Sequence, residues 1–362
     1  MHDEGKKMVK LRSGDAREVG ISPERINRVR ALCANWVADG STPVLIVLVA
    51  RHGIIFLHDA WGKLGAEFDS TPVLRDSIFG VASVSKPVTA TTVMLLVETG
   101  KIGINQPVQK YIPEFKGPGC EKIMVRHLLS HTSGLPNRSE VSPLEAGQSG
   151  LARDPGTQMA YSNVAYDLLG ELIQRVSGQS FNEFARENIF EPLGMMDSTF
   201  IHMGKPHERC IRRRPGTLFD WPDEMEGTTS ASSTLWTTAL DMGIFLQTFQ
   251  NGGNYGDTRL LSPATVAAMT RSQVRGIPRE MVGGSINQPQ GFGWFMLDEI
   301  RFPNTPCLLS PHSYGHAGAS GAFVWVDPFY DLIGVFLFAK IREDVHPMDL
   351  FIDSIMGSIV EN

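Results

Sequence analysis

The pattern of apolar and polar positions divides the chain into strand-like segments near its two ends and helix-like segments between them. Near the start, apolar runs over Val44–Ala50 and Ile54–His58 flank Arg51-His52-Gly53, which predicts a β-hairpin. Near the other end, three segments have the length and composition of strands: Phe292–Leu297, Ala322–Asp327 and Leu332–Ala339.

Helical patterns dominate the middle of the chain. Ser22-Pro23 has the N-cap and N1 residues of a helix start and predicts a first helix that ends near Ala38. A last helix, Asp349–Val360, is predicted to cover the sheet. The predicted helices between them are Pro87–Glu98, Val125–Ser130, Val164–Val176, Phe181–Asn188, Thr237–Gln250 and Pro263–Arg271. Strands at both ends with helices between predict an α+β fold, with an antiparallel sheet flanked by helices and a large, mostly helical insert.

Composition and charge narrow the classes of function. The 362 residues are 42% apolar and 20% charged, which is ordinary for a globular protein with a large core. A formal net charge of -6 gives no electrostatic reason to expect nucleic acid or an anionic membrane as a partner. The cysteines lack C-x-x-C spacing, so we expect free thiols and neither a zinc site nor a disulfide framework. They are Cys33, Cys120, Cys210 and Cys307.

The most informative chemical pattern is Ser83-Val84-Ser85-Lys86, which directly precedes the helix predicted from Pro87. Ser83 would lie at the helix N-terminus, where unpaired N–H groups and the helix dipole favour developing negative charge. Lys86, three residues later, would lie on the same face. A buried lysine that loses its proton can accept the proton of a serine hydroxyl. A lone S-x-x-K pattern is weak, so its weight depends on partners elsewhere.

Tyr161-Ser162-Asn163 supplies candidate partners, because it follows the turn Asp154-Pro155-Gly156 and opens a predicted helix. A tyrosine beside a lysine ammonium can have its pKa lowered enough to act as a base. The Asn163 amide can hydrogen-bond the lysine and a substrate carbonyl. These residue types leave open whether Lys86 or Tyr161 is the base.

A second candidate segment, Tyr314–Gly321, precedes the strand predicted from Ala322. Its small residues, Gly318 among them, would let a substrate lie beside an exposed strand edge. The backbone N–H of Ala319 could form an oxyanion hole with that of Ser83.

This combination of serine–lysine, Y-x-N and small-residue strand resembles the serine β-lactamase and penicillin-binding-protein superfamily, and most of all class C β-lactamases and family VIII esterases. The resemblance runs from about Ile21 to the end. It includes Val125–Pro136, Ile189–Met195, Leu260–Pro263 and Gly291–Trp294. It implies one composite catalytic domain over residues 1–362, with an α/β part (1–82 and 290–362) and a helical part (83–289).

The resemblance also implies an enzyme, a serine hydrolase that acts through an acyl-enzyme and needs no metal or organic cofactor. Ser83 would be the nucleophile, and the Lys86–Tyr161 pair would take its proton. Asn163 would orient Lys86 and the acyl chain, while His316 would hold Tyr161 or the leaving group.

The third motif departs from the family pattern, since His316-Ala317-Gly318 stands where many relatives have Lys-Thr-Gly. Ala317 lacks the hydroxyl that would bind a substrate carboxylate, and a neutral His316 offers less positive charge than lysine. We therefore predict a carboxylesterase for small uncharged esters, which becomes an acyltransferase where an alcohol or amine is the better acceptor. The alternatives are a β-lactamase or D-Ala-D-Ala carboxypeptidase-type peptidase, and a non-catalytic binding protein of the same fold.

The amino-terminal residues Met1–Lys7 are charged and lead into no apolar segment typical of a signal peptide. The apolar run Val44–Ala50 is too short to span a membrane. We expect a cytoplasmic protein without a membrane partner, which favours small-molecule ester or amide substrates.

Two further features allow weaker interpretations. Phe219 and Trp221 could line the acyl pocket, because a loop in this region borders the site in relatives, although ordinary packing explains them equally well. His127 and His131 have a spacing that can bind metal, but no third ligand is indicated. We therefore assign these histidines a structural role and predict no metal site.

Overall fold

The computed structural model describes residues 9–65, 71–137, 142–201, 208–212, 214, 220, 227–282, 285–286, 289–297, 306–341 and 347–361. The helices are α1 Pro23–Ala38, α2 Ser85–Glu98, α3 Val125–Leu129, α4 Pro143–Gln148, α5 Asn163–Ser177, α6 Phe181–Ala185, α7 Glu191–Leu193, α8 Ala239–Gln250, α9 Pro263–Met269 and α10 Met348–Met356. A π-helical turn, Arg186–Phe190, joins α6 to α7. Short 3₁₀ turns lie at Ala16–Val19, Ala82–Val84, Val108–Lys110 and Cys120–Lys122.

A seven-stranded sheet forms the centre of the α/β part, in the order β1-β3-β2-β13-β12-β11-β10. All neighbours in it are antiparallel except β1 and β3, which are parallel. Its strands are β1 Arg12–Ser13, β2 Val44–Arg51, β3 Ile54–Gly62, β10 Phe295–Met296, β11 Tyr314–Ala317, β12 Ala322–Asp327 and β13 Leu332–Phe338. Three two-stranded ribbons pair β4 Phe79–Gly80 with β5 Trp236–Thr237, β6 Asn254–Tyr255 with β7 Thr258–Arg259, and β8 Met281–Val282 with β9 Ser285–Ile286.

Every residue of β2 is buried, which shows that both faces of the sheet are covered at this strand. One face packs against the helical part and contributes Val44, Ile46 and Leu48 to its core. The other face contributes Leu45 and neighbours at alternate positions to a second core beneath α1 and α10. The side-chain alternation of a strand thus serves two separate layers. The predicted α+β fold, with a flanked sheet and a helical insert, is confirmed.

Two boundary differences occur next to glycines. Strand β10 covers only Phe295–Met296 of the strand predicted from Phe292, because Gly293 has a φ of 82° and a turn closes from Gly291 N–H to the Trp294 carbonyl. A Cβ on Gly293 would lie 2.6 Å from the Ala90 Cβ, so this turn packs directly against α2. The last helix stops at Met356 rather than extending to Val360.

Helix α2 is the central support of the candidate site. Eleven of its fourteen residues are buried, which is typical of a helix surrounded by protein on all sides. It starts at Ser85, two residues earlier than predicted, and it ends before Gly100, which has a φ of 72°. The α2 N-terminus therefore holds Ser83 and Lys86 at the junction between the helical part and the sheet.

Candidate active site

Ser83 lies in the 3₁₀ turn that leads into α2. The preceding residue, Ala82, has a φ of 49°, a conformation that residues with a Cβ seldom adopt. Ser85 stabilises the turn, because its Oγ donates to the Ala82 carbonyl at 2.6 Å and accepts from Leu235 N–H at 3.0 Å. Ser83 is half-buried and lines a cavity of about 490 Å³. Its hydroxyl is thus fixed in place and accessible.

Lys86 is completely buried and donates three hydrogen bonds from Nζ. The acceptors are Ser83 Oγ at 3.2 Å, Asn163 Oδ1 at 2.8 Å and the Ser232 carbonyl at 2.9 Å. Burial lowers the pKa of Lys86 to about 7, and the nearby Asp167 carboxylate opposes that shift. Both protonation states are therefore accessible near neutral pH, as a proton acceptor for Ser83 requires.

Tyr161 lies beside this pair, with its ring centroid 4.8 Å from Lys86 Nζ. Its surroundings raise the pKa of Tyr161 through loss of solvation, and a side-chain hydrogen bond with Ser83 only partly offsets this shift. The expected lowering of the Tyr161 pKa by Lys86 is therefore wrong. Loss of solvation is the largest influence on the pKa of Tyr161.

Asn163 is the first residue of α5, and Ser162 caps the helix by accepting from the Ala165 N–H. This capped start directs the Asn163 amide toward Lys86, while the Asn163 N–H donates to Asn137 Oδ1 at 3.0 Å. Asn163 of the Y-x-N segment thus contacts Lys86 of α2, although the two residues are 77 positions apart in the sequence.

His131, for which a structural role was predicted, packs against this segment. Its ring stacks on Tyr161 at 4.4 Å, its Nδ1 accepts from the Ser162 N–H at 3.1 Å, and its carbonyl accepts from the Ala160 N–H. His127 lies in α3, whereas His131 follows it with a φ of 57°, so the two do not share a helical face. Within the described ranges, no three His, Cys, Asp or Glu side chains converge as a metal site.

His316 is fully buried on β11. Its Nδ1 donates to the Ala317 carbonyl at 2.8 Å, because a carbonyl can only accept. Burial, with the Lys86 charge as a second cause, lowers the pKa of His316 to about 3. The imidazole stacks on Phe295 at 4.1 Å and lies 6.3 Å from the Tyr161 ring. His316 is thus neutral and brings no positive charge to the cavity.

The end of β11 approaches the Ser83 turn very closely. A Cβ on Gly318 would lie 2.2 Å from the Val81 carbonyl oxygen, so only glycine permits this contact. Ala317 and Ala319 are exposed on the wall of the cavity that Ser83 also lines. The third motif and the serine therefore meet in one cavity.

Sequence reasoning missed three contributors, namely Asp167, the Ser232 carbonyl and Phe295. Asp167 accepts hydrogen bonds from Ser230 Oγ and Ser232 N–H, and so fixes the carbonyl that binds Lys86. Its position four residues after Asn163 on α5 was the available signal, since residues at this spacing share a helix face. Phe219 and Trp221 lie outside the described residues.

The β-lactamase family model matches residues 29–353 of the chain. The chain belongs to the β-lactamase family. It is a serine hydrolase, as predicted, and the resemblance inferred from its motifs is confirmed.

Individual relatives are distant but cover most of the chain. A protein of Salmonella agona (strain SL483) named "Putative D-alanyl-D-alanine carboxypeptidase" is 25% identical over 372 aligned positions, 88% of this chain and 83% of the relative. A penicillin-binding protein homologue from Caulobacter crescentus superposes with a TM-score of 0.76 at 22% identity, over 93% of this chain and 97% of its own.

Two hydrolase structures have the same fold. A family VIII carboxylesterase superposes with a TM-score of 0.74 at 21% identity, over 94% of this chain and 98% of its own. EstCE1, described as a hydrolase with promiscuous acyltransferase activity, superposes with a TM-score of 0.74 at 21% identity, over 93% of this chain and 98% of its own. Among the described helices of the present chain, none is long and apolar enough to cross a membrane.

Proposed function

We propose that the protein is a carboxylesterase that hydrolyses small uncharged esters through an acyl-enzyme on Ser83. The observation that carries this proposal is the hydrogen bond from Lys86 Nζ to Ser83 Oγ, in a cavity where Ala317 presents a methyl group. The hydrogen bond from Lys86 activates the Ser83 nucleophile. The methyl group of Ala317 provides no hydroxyl that could bind a substrate carboxylate. The family VIII carboxylesterase fold agrees with this activity.

The proton path starts at the Ser83 hydroxyl and involves Lys86 and Tyr161. Neutral Lys86 accepts the proton as Ser83 attacks, since its pKa near 7 makes it the stronger candidate base. Tyr161, whose pKa is raised, stays a phenol and passes a proton toward the leaving alcohol. Water then attacks the acyl-enzyme along the same path in reverse.

Backbone groups stabilise the tetrahedral intermediate in this proposal. The N–H groups of Ser83 and Ala319 donate to the oxyanion, and the helix dipole of α2 adds to their effect. Asn163 holds Lys86 and the acyl group. His316 shapes the wall through its stacking on Phe295 and leaves the cavity without a cation at this position.

A second candidate is a D-amino-acid peptidase, because the curated relative from Salmonella agona carries a carboxypeptidase name. A β-lactamase is the related alternative within the family. Both must bind a substrate carboxylate, which the His316-Ala317 pair favours less than Lys-Thr would. An acyltransferase would use the same acyl-enzyme with an alcohol or amine as acceptor.

A substrate panel tests the proposal. Purified enzyme is assayed with p-nitrophenyl esters of graded acyl length, with nitrocefin and with a D-Ala-D-Ala peptide. We expect kcat/KM for acetate or butyrate esters to exceed that for nitrocefin by orders of magnitude. Faster turnover of nitrocefin or of the peptide would contradict the esterase proposal and favour the corresponding alternative.

A further inference from the structure

The cavity at Ser83 is much larger than a small acyl group needs. Its volume of about 490 Å³ lies in the range of pockets that enclose drug-sized ligands. Ala317, Gly318, Ala319, Gly321 and Ala322 form a corridor of small residues along one wall. The apolar remainder of the lining, here called the aromatic chamber, consists of Phe295, Phe323, Phe336, Phe338, Pro347 and Met348.

The aromatic chamber is built from elements far apart in sequence. Phe323 on β12 and Phe336 and Phe338 on β13 face the second core, and the rings of Phe336 and Phe338 stack at 5.7 Å. Met348 begins α10, is half-buried and also lines the cavity. Because the rings of Phe323, Phe336 and Phe338 are almost completely buried, the half-buried Phe295 and Met348 are the chamber residues that a flat apolar ligand group can contact.

The described lining residues also set the charge that the chamber accepts. Among them Lys340 is the charged side chain, and no carboxylate is present. A cationic ligand group would therefore lose its hydration without gaining an ion pair. Because Lys340 already takes part in another interaction, an uncharged aryl or similarly bulky apolar group suits the described walls best.

Tyr161 decides which part of the ester lies toward the chamber. Ser83 and Tyr161 line this cavity, whereas Lys86 and Asn163 lie behind them. When Ser83 Oγ bonds to the carbonyl carbon, the bond to the alkoxy oxygen breaks. That oxygen receives the proton that left Ser83 by way of Lys86 and Tyr161. The Phe295 ring of the chamber lies 6.4 Å from the Tyr161 ring, so the alcohol part, which receives its proton by way of Tyr161, lies next to the chamber.

We propose that the enzyme acts on esters of bulky apolar alcohols that carry an aryl group, with the aryl group bound in the aromatic chamber. This inference rests on the proposed esterase function and names its substrate class. The acyl part remains small and uncharged.

Matched ester pairs test the assignment. Ethyl acetate is compared with 2-phenylethyl acetate, which enlarges only the alcohol, and with ethyl 3-phenylpropanoate, which enlarges only the acyl group. Product alcohols and acids are quantified by chromatography. We expect kcat/KM for 2-phenylethyl acetate to exceed that for ethyl acetate by about tenfold or more, as burial of a phenyl group predicts. Ethyl 3-phenylpropanoate should show no comparable gain.

Two substitutions at Met348 change the chamber in opposite directions. Met348→Trp fills it and should lower the ratio of kcat/KM for 2-phenylethyl acetate over ethyl acetate toward one. Met348→Ala widens it and should favour the larger 2-(1-naphthyl)ethyl acetate. Leu350→Trp, at an exposed position of the same helix, is the matched control and should leave the ratio unchanged.

The outcomes separate this inference from the proposed function. If no ester is hydrolysed, the proposed function itself fails. If ethyl acetate is hydrolysed but the gain appears on the acyl side, or Met348→Trp leaves the ratio at the wild-type value, the chamber assignment alone is overturned.

Discussion

Two walls of the cavity differ in how they are built. The helical wall carries Ser83 and Tyr161, which are joined by polar contacts to Lys86 and Asn163 behind them. The opposite wall consists of small residues from the end of β11 followed by phenylalanines, with few polar side chains among the described positions. The helical wall, here called the polar wall, is suited to proton transfer. The opposite wall, here called the apolar wall, is suited to ligand selection. Substitutions on the two walls should therefore change different kinetic quantities.

The largest effect should come from Ser83→Ala on the helical wall. Removal of the nucleophile should reduce ester hydrolysis at least about 10⁴-fold, since loss of a catalytic serine removes the covalent route altogether. A fluorophosphonate probe should label Ser83 in the wild type and nothing in the variant. Ser177→Ala, at the last residue of α5, is the matched control, because the Ser177 hydroxyl bonds only backbone groups at that helix end. Labelling of a different serine would remove Ser83 from its assigned role.

Changes at the proton-transfer pair should be the next largest. Tyr161→Phe keeps the ring stacked on His131 but loses the hydroxyl, and kcat should fall about a hundredfold or more. Lys86→Ala should be at least as harmful. Tyr166→Phe is the control, because its ring also lies near Lys86 Nζ, at 5.6 Å, but its hydroxyl donates to the Leu129 carbonyl. Near-normal turnover in Tyr161→Phe would leave Lys86 as the sole proton carrier.

Changes on the apolar wall should alter selectivity while leaving acyl transfer intact. The double substitution His316→Lys with Ala317→Thr adds a cation and a hydroxyl, and hydrogen bonds to charged groups contribute about 1.5–3 kcal/mol. The ratio of kcat/KM for nitrocefin over p-nitrophenyl butyrate should rise about ten- to a hundredfold. Replacing Ala317 by valine instead of threonine supplies the same shape without the hydroxyl. An equal rise with valine would show that shape, rather than carboxylate binding, controls the ratio.

The smallest effect concerns pH. Because Lys86 must be neutral to accept a proton and its pKa is about 7, kcat/KM should decline as pH falls through about 7. Asp167→Asn removes the charge that raises the Lys86 pKa, so the acid limb should move to lower pH. Glu171→Gln is the control one turn along α5, where the carboxylate pairs with Arg175. An acid limb that stays fixed in Asp167→Asn would mean that another group controls it.

Local patterns predicted much of the polar wall. The three-residue spacing of Ser83 and Lys86, the helix start after Ser162 and the small residues before β12 all depend on neighbours within one or two turns. Helix propensity, capping and backbone freedom act over that distance. Local sequence patterns were therefore sufficient to predict the fold class and the candidate residues. The family resemblance added the role that each candidate residue is expected to have in the reaction.

Tertiary structure alone decided the rest, because it depends on contacts between distant residues. The Ser232 carbonyl accepts a hydrogen bond from Lys86, which lies 146 positions away in the sequence. Burial at this site lowers the pKa of Lys86 and raises the pKa of Tyr161, whose pKa was expected to be lowered. The aromatic chamber joins Phe295 with the distant Met348 at the start of α10. The sequence determined which groups are available for chemistry, whereas packing determined their solvation, and solvation controls both proton affinity and ligand choice.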